Sequence, residues 1–150
     1  MAGIGRAQLE VLNDRIAARR NIFNRYFEEL SNHPGFTFMP ELHDTFSNRW
    51  LTALVINEKE AGVSVAEILT ALGEENIEAR PVWKPLHLQP VFNNYKYYPH
   101  SEQESISEEL FQNGVCLPSG SNMTEEEIER VINCIRLTVK EREILELSNR

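Results

Sequence analysis

This sequence has no apolar run approaching the ~20 residues that a membrane-spanning helix requires. Its first residues, Met1 to Arg6, also lack the long apolar core of a signal peptide. With 15 basic against 23 acidic residues and a formal charge of −8, the chain lacks the concentrated basic surface on which nucleic-acid binding depends. We therefore expect a cytoplasmic protein with neither a membrane nor a nucleic acid among its partners.

Residues with metal-binding or redox chemistry are equally scarce. Cys116 and Cys134 are the two cysteines, and each lies in an apolar pattern, which favours reduced core thiols but leaves a disulfide open. The four histidines have no metal-ligand spacing with one another or with the cysteines, so no metal site is predicted. The chain also lacks a hydrolase elbow of the form Gly-x-Ser-x-Gly. Gln8 occupies the third glycine position of a dinucleotide fingerprint, so that motif is absent too.

What the sequence does contain is an alternation of helical and extended patterns over one domain's length of 150 residues. Apolar residues at helical spacing predict a long first helix over residues 5–31. Period and turn signals predict short strands at 36–38, 49–56, 77–82 and 115–117. The near-continuous apolar run within 49–56 predicts that this strand is buried. Further helices are predicted after Ser64, over 105–112 and after Thr124, the first and last opened by capping boxes.

These elements predict an α+β fold, with a small sheet of three to four short strands and helices mainly on one face. We expect a single domain over residues 1–150. It comprises the long helix 5–31, the sheet and helices of 36–140, and a charged helical tail at 141–150. The chain offers little to cover the second face of the sheet.

The densest chemistry lies in residues 79–92, which read Ala-Arg-Pro-Val-Trp-Lys-Pro-Leu-His-Leu-Gln-Pro-Val-Phe. Three prolines exclude a regular helix here, and the apolar content is too high for a solvated linker. We call this segment the proline-rich ribbon. A stiff, extended segment that presents cations and aromatic rings is typical of a binding loop.

The ribbon resembles the segment RPLWKPMHLQPVF of sugar-nucleotide aminotransferases of the DegT/DnrJ/EryC1/StrS family. Three further segments resemble the same family in the same order: residues 2–10, residues 48–51, and residues 117–121 followed by an acidic helix start. The variant from Trp83 to His87 is most similar to members that aminate UDP-linked 4-keto-6-deoxy-N-acetyl sugars.

Family members are about twice this length or more, and the resemblance covers their C-terminal small domain alone. In that family the large domain carries the lysine that forms a Schiff base with pyridoxal phosphate. In this chain Lys59 lies in a charged turn, Lys96 in a polar loop and Lys140 on an exposed helix, so none is predicted to take that role. Lys84 is assigned to substrate contact by the resemblance. We therefore predict no catalytic residue in this chain.

The resemblance implies the small-domain fold of fold-type I pyridoxal-phosphate enzymes, with the cofactor held mainly by the large domain. It implies glutamate as the amino donor and a keto-sugar nucleotide as the acceptor, in cell-surface polysaccharide or glycan biosynthesis. A homodimer is also implied. The chain alone would then be inactive. The alternative is a non-catalytic module that binds a nucleotide sugar or pairs with a separate large-domain polypeptide.

Six residues are candidates for substrate binding: Arg80, Trp83, Lys84, His87, Asn48 and Arg49. Arg80 suits an anionic group, although an ion pair with a helix carboxylate is the simpler interpretation. Trp83 suits a structural anchor whose ring also lines the pocket. Lys84 and His87, three residues apart, are expected to point into one cleft, where they would contact a diphosphate and a phosphate or sugar hydroxyl. Asn48 and Arg49 have a turn or capping role as the default.

Overall fold

The computed structural model of the chain describes residues 2–99, 101 and 104–148. The helices are α1 (Ala2–Glu10), α2 (Leu12–Leu30), α3 (Glu58–Ala61), α4 (Val65–Glu74), α5 (Ile106–Asn113) and α6 (Glu125–Ser148). The strands are β1 (Phe36–Phe38), β2 (Thr52–Ile56), β3 (Arg80–Pro81) and β4 (Gly114–Leu117). The predicted α+β class is confirmed.

The four strands form one antiparallel sheet in the order β1-β2-β4-β3. Leu54 at the centre of β2 lies between Phe38 of β1 and Val115 of β4. Successive residues of a strand point to opposite faces. These three side chains therefore share the face that supports the core.

Helices α2, α4 and α6 pack against that face. Tyr26, Leu72 and Ile132 are fully buried there. The Tyr26 hydroxyl donates a hydrogen bond to the carbonyl of Pro118 at 3.0 Å, and burial raises the pKa of this phenol. This bond ties α2 to the segment that follows β4.

Both predicted capping boxes are present. The Ser64 amide donates to the Glu67 carboxylate at 2.9 Å, and the Glu67 amide donates back to the Ser64 hydroxyl at 3.3 Å. Thr124 and Glu127 exchange the same pair of bonds at the start of α6. Each box satisfies two backbone amides that have no partner within the helix.

The other face of the sheet, which we call the outer face, carries Ala53, Cys116 and Arg80 side by side across β2, β4 and β3. Helix α5 joins β4 directly and contacts this end of the sheet. A Cβ at Gly114 would overlap the carbonyl of Leu110 and the side chain of Val82. Glycine is therefore what allows α5, β4 and the ribbon to approach so closely.

Three predicted elements differ from the structure. The first helix is interrupted at Val11, which separates α1 from α2. The strand predicted at 49–56 begins at Thr52, because Arg49 has a left-handed φ of 47° that breaks the extended run. The strand predicted at 77–82 contracts to Arg80 and Pro81.

In the described part of the chain, no helix is both long enough and apolar enough to cross a lipid bilayer. Cys116 and Cys134 are free thiols, and burial raises the pKa of each.

Candidate substrate-binding cleft

A cleft of about 510 Å³ opens on the outer face, at the edge formed by β3. Arg80, Trp83 and Lys84 of the ribbon line one side, and Phe111 of α5 and Leu51 contribute apolar surface. Cys116 also lines the cleft, because it lies directly opposite Arg80 in the sheet. The structure therefore brings three of the six predicted residues together.

The backbone that carries these side chains is restrained on both sides. The Val82 amide donates to the Gly114 carbonyl at 3.0 Å and so continues the pairing of β3 by one bond. Pro81 and Pro85 fix φ on either side of Trp83 and Lys84. After Pro85 the ribbon folds into two short 3₁₀ turns, Leu86–Leu88 and Pro90–Phe92.

Arg80 forms its ion pair with Glu78, two residues earlier in the chain, with Nε 2.8 Å from Oε1. The predicted pairing with a helix carboxylate is therefore wrong. Both side chains are highly exposed, at 78% for Arg80 and 74% for Glu78. A pair this exposed holds its partners weakly, so the guanidinium is available to an incoming anion.

Trp83 is 64% exposed and is not an anchor in the core. Its ring stacks on that of Trp50, with centroids 5.9 Å apart and an interplanar angle of 29°. Trp50 is itself 57% exposed, although the sequence pattern had placed it in a buried strand. Trp50 is therefore a residue of this surface that sequence reasoning missed.

His87 does not share the cleft with Lys84. Its Nε2 lies 2.9 Å from Oε1 of Glu108 on α5, and its ring stacks on Tyr97 with centroids 3.6 Å apart. Among the described residues that line the cleft, His87 is absent. The expectation that both residues point into one cleft is wrong, because the Glu108 carboxylate and the Tyr97 ring hold the imidazole beside α5.

The carboxyl of Glu108 accepts this bond and a second one from Ser105. Both hydrogen bonds favour the charged form, so they lower the pKa of Glu108. Nothing in the sequence pattern joined Glu108 to the ribbon, since the two are separated by a loop without clear periodicity.

Asn48 has the turn role that was its default. Its side-chain oxygen accepts a hydrogen bond from the Trp50 amide at 3.0 Å. Such a bond to the amide two residues later stabilises a tight turn. The turn lies immediately before β2 and determines where the next two side chains point.

Arg49 is buried rather than presented to a substrate. It is 8% exposed, its guanidinium carbon lies 3.7 Å from the centre of the Phe23 ring, and Nη1 donates to the Met39 carbonyl at 2.8 Å. Burial lowers the pKa of Arg49. The substrate-facing role predicted for this residue is contradicted by these contacts.

Glu41 completes the network around Arg49. It accepts a bidentate pair of hydrogen bonds from Arg20, at 2.9 and 3.0 Å, and lies 3.7 Å from Arg49. The bonds from Arg20 and from the Ser47 amide lower the pKa of Glu41 to about 2. This network fastens residues 39–50 to α2, and so fixes the position of Trp50.

No cluster of three potential metal ligands occurs among the described residues. The four lysines, Lys59, Lys84, Lys96 and Lys140, are all exposed. A lysine that forms a Schiff base needs desolvated surroundings that lower its pKa. These residues do not fit a covalent anchor for pyridoxal phosphate.

Comparison with known proteins shows the family of this chain. The profile of the DegT/DnrJ/EryC1/StrS aminotransferase family matches residues 1–136. The chain belongs to this family. It spans about a third of the length of the relatives that it matches.

Among those relatives is EpsN of Bacillus subtilis, whose name describes a pyridoxal phosphate-dependent aminotransferase. It is 52% identical over 135 residues, which is 90% of this chain and 34% of EpsN. The GDP-perosamine synthase of Vibrio cholerae is 30% identical over 135 residues, covering 90% of this chain and 35% of that protein. Both matches agree with the family that the ribbon resembles.

The fold is also shared with solved structures. The aminotransferase TlmJ from Streptoalloteichus hindustanus superposes with a TM-score of 0.78 at 23% identity, over 93% of this chain and 36% of TlmJ. At that level of identity the superposition shows a common fold. The predicted α+β fold therefore has counterparts among solved aminotransferase structures.

Proposed function

We propose that this chain is the substrate-binding small domain of a pyridoxal-phosphate-dependent aminotransferase. The enzyme would transfer an amino group from glutamate to a keto-sugar nucleotide for cell-surface polysaccharide or glycan biosynthesis. Membership in the family supports this, as do relatives whose names describe a pyridoxal phosphate enzyme and a GDP-perosamine synthase. The observation that carries the proposal is the cleft shared by Arg80, Trp83 and Lys84.

The two cations give this cleft its selectivity for a diphosphate. A guanidinium matches pairs of phosphate oxygens through its planar fork, and an ammonium acts as a compact point charge. Arg80 is held by one exposed carboxylate, and Lys84 is exposed on the rigid segment between Pro81 and Pro85. Positioning of the sugar nucleotide is the part of the reaction that we assign to these residues.

The covalent chemistry lies elsewhere in our proposal. When bound, pyridoxal phosphate supplies an electron sink for amino transfer. The exposed lysines of this chain do not fit a covalent anchor for the cofactor. We therefore assign cofactor binding to the portion of the longer family proteins that lies outside the segment matched by this chain. We also propose a cytoplasmic homodimer, in which the large exposed apolar side chains, such as Leu42 at 71% and Val91 at 71%, would be covered.

A chimeric enzyme tests the activity. The chain replaces the matching segment of EpsN, and amination of a UDP-linked 4-keto-6-deoxy sugar is measured with glutamate as donor. We expect activity, with KM raised roughly tenfold by Lys84→Ala and by Arg80→Ala. Lys59→Ala, an exposed lysine outside the cleft, is the matched control and should leave KM unchanged. A chimera that folds and binds cofactor but remains inert would exclude the proposal.

The second candidate is a non-catalytic module that binds a nucleotide sugar or pairs with a separate large-domain polypeptide. The exposure of all four lysines favours it as a description of the chain by itself. The DNA upstream of Met1 discriminates between the two. An in-frame upstream sequence that encodes a lysine-bearing large domain supports the enzyme. A separate upstream gene for such a domain supports a split enzyme. The absence of both supports the non-catalytic module.

Borohydride reduction of the chain with pyridoxal phosphate gives a further check. We expect no stoichiometric adduct on any lysine. A specific adduct at Lys84 would show that this residue anchors the cofactor and would overturn its assignment to substrate binding.

A further inference from the structure

Trp50 and Trp83 are the two tryptophans of the chain, and they meet on the outer face beside the cleft. Each leaves more than half of its surface in water, at 57% and 64%. Exposed indole surface is unfavourable in a free protein, and stacked exposed rings mark places where a ligand or partner binds.

The backbone presents both rings in fixed positions. Trp50 follows Arg49, whose side chain is buried against Phe23, so the next side chain is directed outward. The bond from the Trp50 amide to Asn48 fixes the same turn. Trp83 lies between Pro81 and Pro85. A ligand that stacks here meets a surface that has already lost its conformational freedom.

The surroundings of Trp83 distinguish a base from a sugar ring. Apart from Arg80, Lys84 and Glu78, the side chains that line the cleft are apolar except for Ser119 and the buried Cys116. The Ser119 hydroxyl is already engaged, since it accepts from the Thr52 amide and donates to the Leu117 carbonyl, both at 2.9 Å. A hexose can also stack on tryptophan, but its ring hydroxyls need hydrogen-bond partners, and this lining offers few. A planar base can bind through its aromatic face alone.

We infer that the nucleobase of the sugar nucleotide stacks on Trp83, with Arg80 and Lys84 facing the diphosphate. Trp50 backs the Trp83 ring and acts as a positioning residue. The inference rests on the proposed function for the identity of the ligand. It assigns the site of the base and a role for Trp50, which the family resemblance did not include among the candidates.

Tryptophan fluorescence of the intact 150-residue chain tests this directly, because the signal comes from these two residues. Uridine diphosphate is titrated to about 10 mM, with excitation at the red edge of tryptophan absorption, where uridine does not absorb. We expect quenching by uridine diphosphate. Inorganic pyrophosphate should compete for the site without quenching, because it has no base.

Variants separate the roles of the two rings. Binding is followed by the indole N–H resonances and by calorimetry. Trp83→Ala should weaken the binding of uridine diphosphate at least roughly tenfold and leave the binding of pyrophosphate unchanged. Trp50→Ala should weaken the binding of uridine diphosphate by about threefold. Trp50→Phe should restore this binding, since an aromatic ring still stacks behind Trp83. Leu137→Ala, an exposed apolar residue on α6, is the control.

The outcomes distinguish this inference from the proposed function. Equal affinity for uridine diphosphate in the wild type and Trp83→Ala, with pyrophosphate still competing, overturns the stacking site and leaves the diphosphate site in place. If uridine diphosphate still quenches the fluorescence of Arg80→Ala and of Lys84→Ala with unchanged affinity, the base site is supported and the diphosphate site is contradicted. Absence of any binding overturns both.

Discussion

Nε2 of His87 lies 2.9 Å from Oε1 of Glu108, and this contact joins the proline-rich ribbon to α5. Without the contact to Glu108, His87 would keep its stacking on Tyr97 but would lose its hydrogen bond to α5. The carboxylate therefore has a mechanical role: it fixes the end of the ribbon that follows the cleft.

We predict that Glu108→Ala lowers the melting temperature at neutral pH. The pKa of Glu108 is lowered in the folded chain, so its contribution to stability is complete above the ordinary value of 4.5 and is lost as the pH falls through the folded value. The difference between the variant and the wild type should therefore shrink in acid. Thermal melts across pH measure this, with the neighbouring, exposed Glu109→Ala as control. A difference that persists unchanged at low pH would contradict the charged Glu108 carboxylate as its source.

Glu41 offers a pH signal that can be read from one residue. Its pKa is about 2 in the folded chain and 4.5 when free of its partners, so the Arg20 contact stabilises the fold above pH 4.5 and weakens as the pH falls toward 2. Carboxyl NMR titration should show Glu41 charged at pH 3, and Glu41→Gln should flatten the acid side of the stability profile. Glu10→Gln on α1 is the control. Titration of Glu41 near 4.5 would show that the network is absent in solution.

Arg49→Ala should destabilise the chain by about 2 kcal/mol, because it removes a buried cation over Phe23 and the bond to the Met39 carbonyl. Urea unfolding measures the loss. Arg49→Lys should recover only part of the lost stability, since an ammonium keeps the charge but lacks the planar fork that spans these partners. The exposed Arg15→Ala serves as the matched arginine control. If Arg49→Ala instead retained wild-type stability and abolished nucleotide binding, the substrate-facing role would be restored.

The purified chain should bind an apolar-surface dye or self-associate. Helix α1 buries none of its side chains, and Ile4 and Leu9 on it are 66% and 70% exposed. Ile4→Gln combined with Leu9→Gln should reduce the dye signal without lowering the melting temperature, because neither residue packs in the core. Sedimentation and dye titration measure both effects. A monomer that binds no dye would count against a covered surface in the complete protein.

Local sequence signals predicted the parts of the fold that depend on neighbours in the chain. Both capping boxes and the strand at 36–38 follow from such patterns and are present. The orientation of Arg49 and Trp50 could not be read in this way. An apolar run predicted a buried strand, but contact with Phe23 on α2 and with Glu41 buries the arginine, and the tryptophan beside it is exposed.

The residues of the candidate site also differ in how well the sequence predicted their positions. Arg80, Trp83 and Lys84 lie close together in sequence on one restrained segment, and the structure keeps them together in the cleft. His87 is equally close in sequence. However, the 3₁₀ turn after Pro85 changes the direction of the chain, and Glu108 holds the imidazole beside α5. A spacing of three residues predicts a shared cleft only while the backbone remains extended.

Pro81 has a consequence beyond the cleft. Strand β3 lies at the edge of the sheet and is two residues long, and one of these residues cannot donate a hydrogen bond. Short edge strands that contain proline resist the addition of a strand from a second molecule. The edge beside the cleft can therefore expose aromatic rings and charges to solvent while its backbone offers little to a strand of a second molecule, so this edge is protected against growth into a fibre.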